Sequence, residues 1–370
     1  MKILFVATVS SHITNFHLPY LRWFKEQGWE VHVATNGNDA IPHCDVKYNI
    51  PIARSPFNIN NIKAYFKLKK IIKREQYKII HGHTPMGGVL ARLCGKSQRK
   101  NGTRILYTAH GFHFYKGAPI INWLLYYPVE KWLSHYTDVL IAVNKEDFAI
   151  ANKKMNALRI CHIPEVGLDV SRFEHSISDP NVVRESLGIP ADALFILSVG
   201  ELSTRKNHKI MISAISALND NNVYYCIAGT GCLEQKLELL IASIPTKSTI
   251  TLLGHRKDVV DLLHAADIFA FPSLHEGLPF SVMEAMAAGL PCIVSNIRGN
   301  IELIIHQKSG YLCPPADPAT YVHAIKTLFK NAILRKEMGA FNKIEVQQYD
   351  LKQVMPRMCE IYCMEMGVQE

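Results

Sequence analysis

Short apolar runs alternate with amphipathic segments along nearly the whole chain. Apolar residues in the intervening segments recur at helical spacing, as Phe16, Leu21 and Phe24 do before Gly28. Strands that alternate with helices, without tight-turn hairpin signals, predict parallel sheets covered on both faces. The strand-like runs are residues 2–8, 29–35, 77–83, 103–110, 138–143 and 158–164, then 194–200, 223–229, 250–254, 268–272 and 291–295.

The alternation is interrupted by a polar, proline-containing stretch at residues 164–190, which we interpret as a linker. A chain of 370 residues is long enough for two domains. We therefore predict one domain over residues 1–170 and another over 171–349, with a C-terminal helix at about 350–370 packing back on the first. Domains of this kind bind ligands at the carboxyl ends of their strands, which predicts a site in the cleft between them.

Composition narrows the class of protein. Apolar residues make up 48% and charged residues 20%, as in globular proteins, which excludes disordered and fibrous chains. No apolar run reaches the ~18 residues that a spanning helix needs, and the N-terminus is typical of a buried strand rather than a leader. The nine cysteines include no CxxC pair, so we expect neither disulfides nor a zinc–cysteine site, and a cytoplasmic location.

Positive charge is concentrated in the first half of the chain. Residues 1–175 carry 24 Lys and Arg against 12 Asp and Glu, whereas the rest carries 17 against 20. The densest cluster, residues 61–78, is predicted to be an amphipathic basic helix. A solvated helix face, an anionic membrane surface and, less favoured, nucleic acid are the three interpretations. For the aromatic segment 121–136 we favour burial in the core over a membrane interface.

Candidate chemistry lies in the second half, in loops that follow predicted strands. Residues 276–291 place Gly277 and Pro279 in a tight turn before a helix, an arrangement suited to binding an anion. Glu276 precedes that turn and Glu284 lies inside the helix, where either carboxylate can accept hydrogen bonds from hydroxyl groups. Another loop, 198–208, puts Arg205 and Lys206 at the start of a helix, where cations are unfavourable unless an anion is near.

Two further loops are weaker signals. Gly229-Thr230-Gly231 lacks the third glycine of the dinucleotide-binding GxGxxG pattern. The segment 252–273 places Gly254, His255 and Arg256 at another strand end, where a nucleobase can meet backbone groups.

Together, in this order and spacing, these segments resemble the retaining glycosyltransferases of family 4. The motifs are SVGELSTRKNH, IAGTGCLE, LLGHRKDVVDLLHAADIFAFPS, EGLPFSVMEAMAAGLP and NIRGNIELIIHQKSGYL, within residues 195–312. The resemblance implies an α/β GT-B fold, in which two Rossmann-like parallel-sheet domains face a central cleft. Residues 12–37 and 107–114 resemble those of bacterial capsule and exopolysaccharide members.

The resemblance also implies roles for individual residues. Glu284 binds the ribose of the nucleotide, and Lys206, assisted by Arg205, neutralises the diphosphate. His110 contacts the donor sugar near the reacting carbon. The remaining implied contacts are Glu276 and the turn Gly277, Leu278, Pro279 and Phe280 on the sugar and diphosphate, Gly254, His255 and Arg256 beside the base, and Ser11, His12 and Asn15 on the acceptor side.

The sequence departs from the family pattern at three places. Glu201 stands where the family commonly has the arginine of the phosphate loop, and Arg205 is the candidate replacement. Residues 9–16 replace the usual double-glycine turn. Glu165 stands where an asparagine usually follows the proline at 164.

We expect no cofactor and no metal. The chain contains no DxD triplet to hold a divalent ion on the diphosphate. The histidines at 81–83 and 110–113 lack Glu or Cys at ligand spacing, so they do not predict a metal centre. The diphosphate would then leave with help from Lys206, Arg205 and the helix start at Gly277, with retention implied by the resemblance.

The leading hypothesis is a transferase that moves a sugar from a nucleotide donor to a lipid-linked saccharide in bacterial surface polysaccharide synthesis. The resemblance favours UDP-hexose or UDP-N-acetylhexosamine as donor. We expect peripheral attachment to the inner face of the plasma membrane through the basic helix 61–78, and no nucleic-acid partner. The alternatives are a GT-B epimerase or phosphorylase, a non-enzymatic adaptor that binds a membrane surface or nucleic acid and, least favoured, an NAD-dependent oxidoreductase.

Overall fold

The computed structural model describes residues 1–367, which fold as two α/β units. One unit comprises Met1–Val166 together with the chain from Val354 onward, and the other comprises Gly167–Gln353. The boundary in the structure therefore lies four residues before the one predicted at 170/171. No helix among residues 1–367 is long and apolar enough to cross a membrane.

The first unit is built on a seven-stranded parallel sheet. Its strands are β1 Lys2–Val9, β2 Glu30–Asn36, β3 Val46–Asn49, β4 Ile79–Gly82, β5 Arg104–Ala109, β6 Val139–Ala142 and β7 Arg159–His162. Their order in the sheet is β3-β2-β1-β4-β5-β6-β7, so the strand order reverses at β1. Its first helices are α1 Ser10–Phe16, α2 Leu18–Glu26, α3 Asn60–Glu75, α4 Pro85–Gly95, α5 Ile120–Ser134 and α6 Lys145–Lys154, with a 3₁₀ turn at Arg99–Asn101.

The second unit repeats the plan with a six-stranded parallel sheet. Its strands are β8 Leu194–Val199, β9 Val223–Ala228, β10 Thr249–Gly254, β11 Ile268–Phe271, β12 Cys292–Ser295 and β13 Gly310–Cys313, in the order β10-β9-β8-β11-β12-β13. Here the order reverses at β8. Its helices are α7 Pro180–Ser186, α8 His208–Leu218, α9 Glu234–Ser243, α10 Val259–Ala265, α11 Phe280–Ala288, α12 Asn300–Leu303, α13 Pro318–Lys330 and α14 Ala332–Glu345. Short 3₁₀ turns occupy Val170–Phe173, Thr204–Lys206 and Val346–Tyr349.

The last helix, α15 Leu351–Met366, begins in the second unit and continues in the first. In the first unit, its Tyr362 hydroxyl lies 2.8 Å from Nδ1 of His81, and its ring packs edge-on against Phe24. The phenol is buried and hydrogen-bonded, as a buried polar tip needs to be. Tyr362 thus anchors α15 to α2 through its ring and to β4 through its hydroxyl.

All eleven predicted strands are present, but β3 and β13 were not predicted. Both are edge strands of four residues. β3 has the sequence VKYN and none of its residues is fully buried, so it lacks the continuous apolar run of a central strand. The incomplete burial of β3 therefore removed the apolar signal that identified the central strands.

Two further sequence-based interpretations need correction. Most of the predicted linker is folded onto the second unit: Asp261 accepts hydrogen bonds from the hydroxyl groups of Ser176 and Ser178, and Arg184 pairs with Asp267 at 2.8 Å. The aromatic segment that forms α5 is only partly in the core: Trp123, Tyr126 and Tyr127 are partly buried and pack against a core cluster, but only Leu133 and Ser134 are fully buried. Its exposed apolar side chains are Ile120, Ile121, Leu124, Leu125, Val129 and Trp132.

Candidate functional site

Three loops of the second unit meet at the carboxyl ends of β8, β9 and β10. The amide of Gly200 donates to the carbonyl of Ala228 at 3.0 Å, and the amide of Gly229 donates to Gly254 at 2.8 Å. Gly229 has φ +154°, and a Cβ placed on it would lie 1.9 Å from the Gly200 carbonyl oxygen. The contact between the loops therefore requires glycine at this position.

A carboxylate and two cations lie together where the strand order reverses, in the loops after β8 and β11. Oε1 of Glu276 accepts hydrogen bonds from Nζ of Lys206 at 2.8 Å and from Nη1 of Arg205 at 2.6 Å. The Lys206 ammonium also lies 4.3 Å from the centre of the Phe271 ring. Lys206 and Glu276 are buried, whereas Arg205 is more exposed. We refer to Arg205, Lys206 and Glu276 as the charge triad.

The charge triad carries one more positive than negative charge. Burial opposes ionisation of Glu276, but the charges of Lys206 and Arg205 outweigh it and hold the pKa of the carboxyl below its usual value. Burial lowers the pKa of Lys206, while the attraction of Glu276 opposes that shift. A buried ammonium held by one carboxylate, beside a second cation, is suited to binding an additional anion.

The helix α11 begins beside the charge triad. Pro279 precedes its first residue, and no side chain caps this end, so the positive end of the helix dipole lies at the Gly277 turn. Gly299, with φ +80°, packs against this turn: a Cβ there would lie 2.4 Å from the Gly277 carbonyl oxygen. The predicted segment Gly277, Leu278, Pro279 and Phe280 is thus the turn and first residue of α11, held in place by the next loop.

Glu284 lies in the second turn of α11 and is half-buried. Burial raises the pKa of its carboxyl to about 6, and the positive charge of Arg172 opposes the rise. Arg172 belongs to the 3₁₀ turn Val170–Phe173, which packs against α11. Sequence reasoning missed Arg172, because only the fold brings it near a residue so distant in the chain.

The residues predicted to flank the base occupy the end of β10. Gly254 has φ +64°, and its carbonyl accepts the Gly229 amide. His255 is exposed. The guanidinium of Arg256 makes two hydrogen bonds to Asp258, of 2.8 and 2.5 Å. Gly254 is therefore built into the loop cluster, while Arg256 is paired with its own neighbour.

In the first unit, His110 follows the end of β5. Its Nδ1 lies 3.0 Å from Oε2 of Glu165, which has φ +60°, a conformation that asparagine adopts more readily than glutamate. His12, one of the residues predicted on the acceptor side, lies in α1. The centres of its ring and the His110 ring are 4.8 Å apart. Ser11 and Asn15 of the same helix are exposed.

Sequence reasoning did not anticipate a cluster of four histidines at this place. Ring nitrogens of His12, His17, His83 and His110 all lie within 4.8 Å of one another. Burial holds the pKa of His12, His17 and His83 well below the usual value, so these three are neutral. The pattern of the chain gives no signal for His17, because no sequence spacing links it to His83 or His110.

Comparison with known proteins assigns the family. A family model described as glycosyl transferases group 1 matches residues 181–344, and one described as glycosyl transferase 4-like matches residues 2–144. EpsD of Bacillus subtilis, named as a glycosyltransferase, is 40% identical over all of this chain and 98% of its own length. The Escherichia coli UDP-Gal:alpha-D-GlcNAc-diphosphoundecaprenol alpha-1,3-galactosyltransferase is 31% identical over 75% of this chain and 72% of its own.

The fold is similar to that of solved glycosyltransferases. The Anabaena protein HepE, in complex with UDP and glucose, superposes with a TM-score of 0.82 at 19% identity, over 98% of this chain and 99% of that one. The two parallel-sheet units of the present chain, together with these matches, define the protein as a glycosyltransferase with the GT-B fold. The chain belongs to the family of group 1, 4-like glycosyltransferases, which confirms the resemblance found in its motifs.

Proposed function

We propose that this protein transfers a hexosyl or N-acetylhexosaminyl group from a UDP-sugar to a lipid-linked saccharide, with retention of configuration and without a divalent ion on the diphosphate. The observation that carries this proposal is the charge triad beside the start of α11. It joins two cations and a helix dipole at the strand-order reversal, which is where such sheets bind ligands.

The charge triad supplies the stabilisation that a departing nucleoside diphosphate needs. Negative charge develops on the leaving phosphate oxygen as the bond to the sugar breaks. Lys206, Arg205 and the positive end of α11 oppose that charge in a partly desolvated place, where each interaction is stronger than in water. Glu276, held by both cations, keeps Lys206 in position and accepts hydrogen bonds from the donor sugar.

Recognition of the nucleotide is assigned to Glu284. Its ionised carboxylate accepts hydrogen bonds from two ribose hydroxyl groups, while the end of β10 at Gly254 provides backbone contacts to the base. UDP is supported as the nucleotide by the E. coli relative, whose name specifies UDP-Gal, and by the UDP complex of HepE. His110, held by Glu165, contacts the donor sugar in this proposal.

A lipid-linked acceptor is supported by an apolar and basic surface on the first unit. Ile59, just before α3, and Ile62 and Phe66, in its first two turns, are 70%, 58% and 65% exposed. Lys70 and Lys73 follow along the helix. Phe57, which precedes α3, lines a pocket of about 340 Å³ together with Leu125, Tyr126 and Val129 of α5. The pocket therefore joins the start of α3 to the exposed side of α5. We call this surface the α3–α5 face.

An exposed apolar area bordered by lysines is suited to an anionic bilayer surface. Lys96 lies 4.9 Å from the Tyr136 ring and 5.8 Å from the Trp132 ring, a pairing of cations and aromatic rings that suits the headgroup region. The E. coli relative is named for an undecaprenol-linked acceptor, which supports a lipid-linked saccharide for this protein too. We propose peripheral attachment of the enzyme to the inner face of the plasma membrane, in surface polysaccharide synthesis.

The test is a donor-binding panel followed by a product assay. UDP-, GDP-, ADP- and dTDP-sugars are compared by thermal stabilisation in EDTA, with Glu284→Ala as the site variant and Lys209→Ala, an exposed lysine of α8, as the control. A ligand at a hundredfold excess over its Kd adds about 2.7 kcal/mol to the apparent stability. We expect stabilisation by UDP-sugars in wild type and Lys209→Ala, and none in Glu284→Ala.

Transfer from the stabilising donor to a polyprenyl-diphosphate saccharide is then measured in EDTA, and the anomeric configuration of the product is read by NMR. Product formed only with added Mg²⁺ contradicts metal independence, and an inverted anomer contradicts retention. Stabilisation by a different nucleotide class overturns the assignment of UDP.

A further inference from the structure

The four-histidine cluster lies where the strand order of the first sheet reverses. His12 is in α1, directly after β1, and His17 separates α1 from α2. His83 follows β4, and His110 follows β5. Three loops that leave the same edge of the sheet thus converge on one group of imidazoles, in a position where open parallel sheets bind ligands.

One pair of nitrogen atoms in the cluster has the separation of ligands that share one ion. Nε2 of His12 lies 3.3 Å from Nε2 of His17, which is also hydrogen-bond distance. Tetrahedral zinc with Zn–N bonds of about 2.0–2.1 Å places adjacent nitrogens about 3.3–3.4 Å apart. The rings of His17 and His83 are 3.9 Å apart, and one nitrogen from each of the four histidines lies within 4.8 Å of the others.

Several of these nitrogens have no hydrogen-bond partner in the described part of the chain. Both ring nitrogens of His83, which is 1% exposed, are unpartnered, and so is Nε2 of His110. The neighbouring His81 differs, since its Nδ1 meets the Tyr362 hydroxyl and its Nε2 meets Thr108. Buried polar atoms are normally paired, so the unpaired nitrogens of the cluster indicate a ligand there.

An acidic residue supports the cluster from outside. Glu165 contacts Nδ1 of His110 at 3.0 Å, which leaves the buried and unpartnered Nε2 of the same ring available to a ligand. Metal-bound histidines commonly use their second nitrogen in this way, because a carboxylate fixes the ring and increases the basicity of the ligating nitrogen.

We propose that His12, His17, His83 and His110 bind a divalent transition-metal ion of the Zn²⁺, Co²⁺ and Ni²⁺ class. Four imidazoles without a carboxylate among them suit these ions and disfavour Mg²⁺, Ca²⁺ and Mn²⁺, which prefer oxygen ligands. This site lies in the first unit and is separate from the charge triad, where no ion is proposed.

The site also makes transfer sensitive to the metal, a consequence that rests on the proposed function. A bound ion engages Nε2 of His110, which is then unable to contact the donor sugar. We therefore expect Zn²⁺ to inhibit the enzyme and EDTA to restore its activity. Metal binding itself requires no donor, so its measurement is independent of the proposed transfer.

The experiment titrates the EDTA-treated, dialysed full-length protein with Co²⁺ and follows the visible absorption of tetrahedral cobalt. We expect one Co²⁺ per chain, displaced by Zn²⁺ and not by Mg²⁺. His12→Ala removes a half-exposed ligand and is expected to weaken Co²⁺ affinity at least 100-fold, whereas His323→Ala, an exposed histidine of α13, leaves it unchanged. Circular dichroism checks that both variants fold, and His110→Ala serves as a second ligand variant.

Absence of stoichiometric Co²⁺ absorption in the wild type overturns the proposal. Binding that survives in both His12→Ala and His110→Ala overturns it as well. If cobalt binds as expected and Zn²⁺ leaves the transfer rate unchanged, the metal site stands and the role of His110 on the donor sugar fails. If cobalt does not bind while transfer proceeds, the proposed function stands and the metal site fails.

Discussion

Lys206 and Glu276 form a buried ion pair of 2.8 Å between the loops that follow β8 and β11. These loops are far apart in the chain and adjacent in space, because β8 and β11 are neighbours in the sheet. The pair therefore ties the cation proposed for the diphosphate to the turn that begins α11. Arg205, at 2.6 Å from the same carboxylate oxygen, adds the excess positive charge.

Lys206→Met is expected to lower kcat/KM by about 10²–10³-fold, the usual effect of removing one charge-stabilising group from a transition state. Arg205 still pairs with Glu276, so the fold should remain intact by circular dichroism. Steady-state kinetics with the stabilising UDP-sugar make the measurement, and Lys209→Met serves as the control. A folded Lys206→Met enzyme with wild-type kinetics contradicts the role of the charge triad.

Glu284→Gln is expected to stabilise the free protein above pH 7. The folded pKa of about 6 lies above the unfolded value of 4.5, so the folded state retains a proton that the unfolded state has released. The free energy of unfolding contributed by this group therefore falls as pH rises from about 4.5 to about 6. The cost above pH 7 is about 1–2 kcal/mol, which the glutamine removes.

Chemical denaturation at pH 4 and at pH 8 measures the effect, with a stability gain only at pH 8. An equal gain at both pH values, or a loss at pH 8, contradicts the assignment of a raised pKa to Glu284.

UDP-sugar affinity is expected to fall as the pH decreases below about 6. In the proposed function only the ionised Glu284 carboxylate accepts hydrogen bonds from both ribose hydroxyls, so protonation is expected to weaken binding by up to about tenfold for each pH unit below the pKa. A UDP-sugar is the correct probe because its diphosphate is doubly esterified and does not titrate in this range. Calorimetry between pH 5 and pH 8 gives Kd, and the pH dependence should disappear in Glu284→Gln.

The α3–α5 face is expected to bind anionic vesicles. Ile62→Ser with Phe66→Ser removes two exposed apolar side chains, and should weaken binding to phosphatidylglycerol vesicles by at least tenfold, since each side chain contributes about 1–2 kcal/mol on burial. Ile344→Ser in α14, whose side chain is 71% exposed, is the matched control. Cosedimentation measures binding, and equal binding by phosphatidylcholine vesicles would contradict a role for the lysines.

Gly229→Ala is expected to destabilise the second unit by about 3 kcal/mol or more. Its Cβ would meet the Gly200 carbonyl at 1.9 Å, and φ +154° is itself unfavourable for alanine. Gly188 has φ +68° with nothing within 4 Å of a Cβ, so Gly188→Ala isolates the backbone cost of about 1–2 kcal/mol. Urea denaturation compares the two, and equal losses would show that the contact between loops is unimportant.

Much of the second unit could be predicted from local patterns. Its central strands are continuous apolar runs, and the carboxyl ends of parallel strands share one edge, so the loops of Lys206 and Glu276 are expected at the same edge of the sheet. The family resemblance implies that both residues serve one site. Arg172 could not be found in this way, because its nearness to Glu284 depends on how the Val170–Phe173 turn packs on α11.

The sequence by itself determined the alternation of strands and helices, the family and the loops that carry charge, because periodicity and short motifs are local properties of the chain. Tertiary structure decided which side chains meet. The tertiary structure leaves the apolar side of α5 exposed, whereas the aromatic composition of that segment favoured burial in the core. The packing of α1 and α2 also brings His17 close to His83 and His110. The physical reason is that exposure and ligand geometry depend on contacts between distant segments, and hydrophobic periodicity carries no information about those contacts.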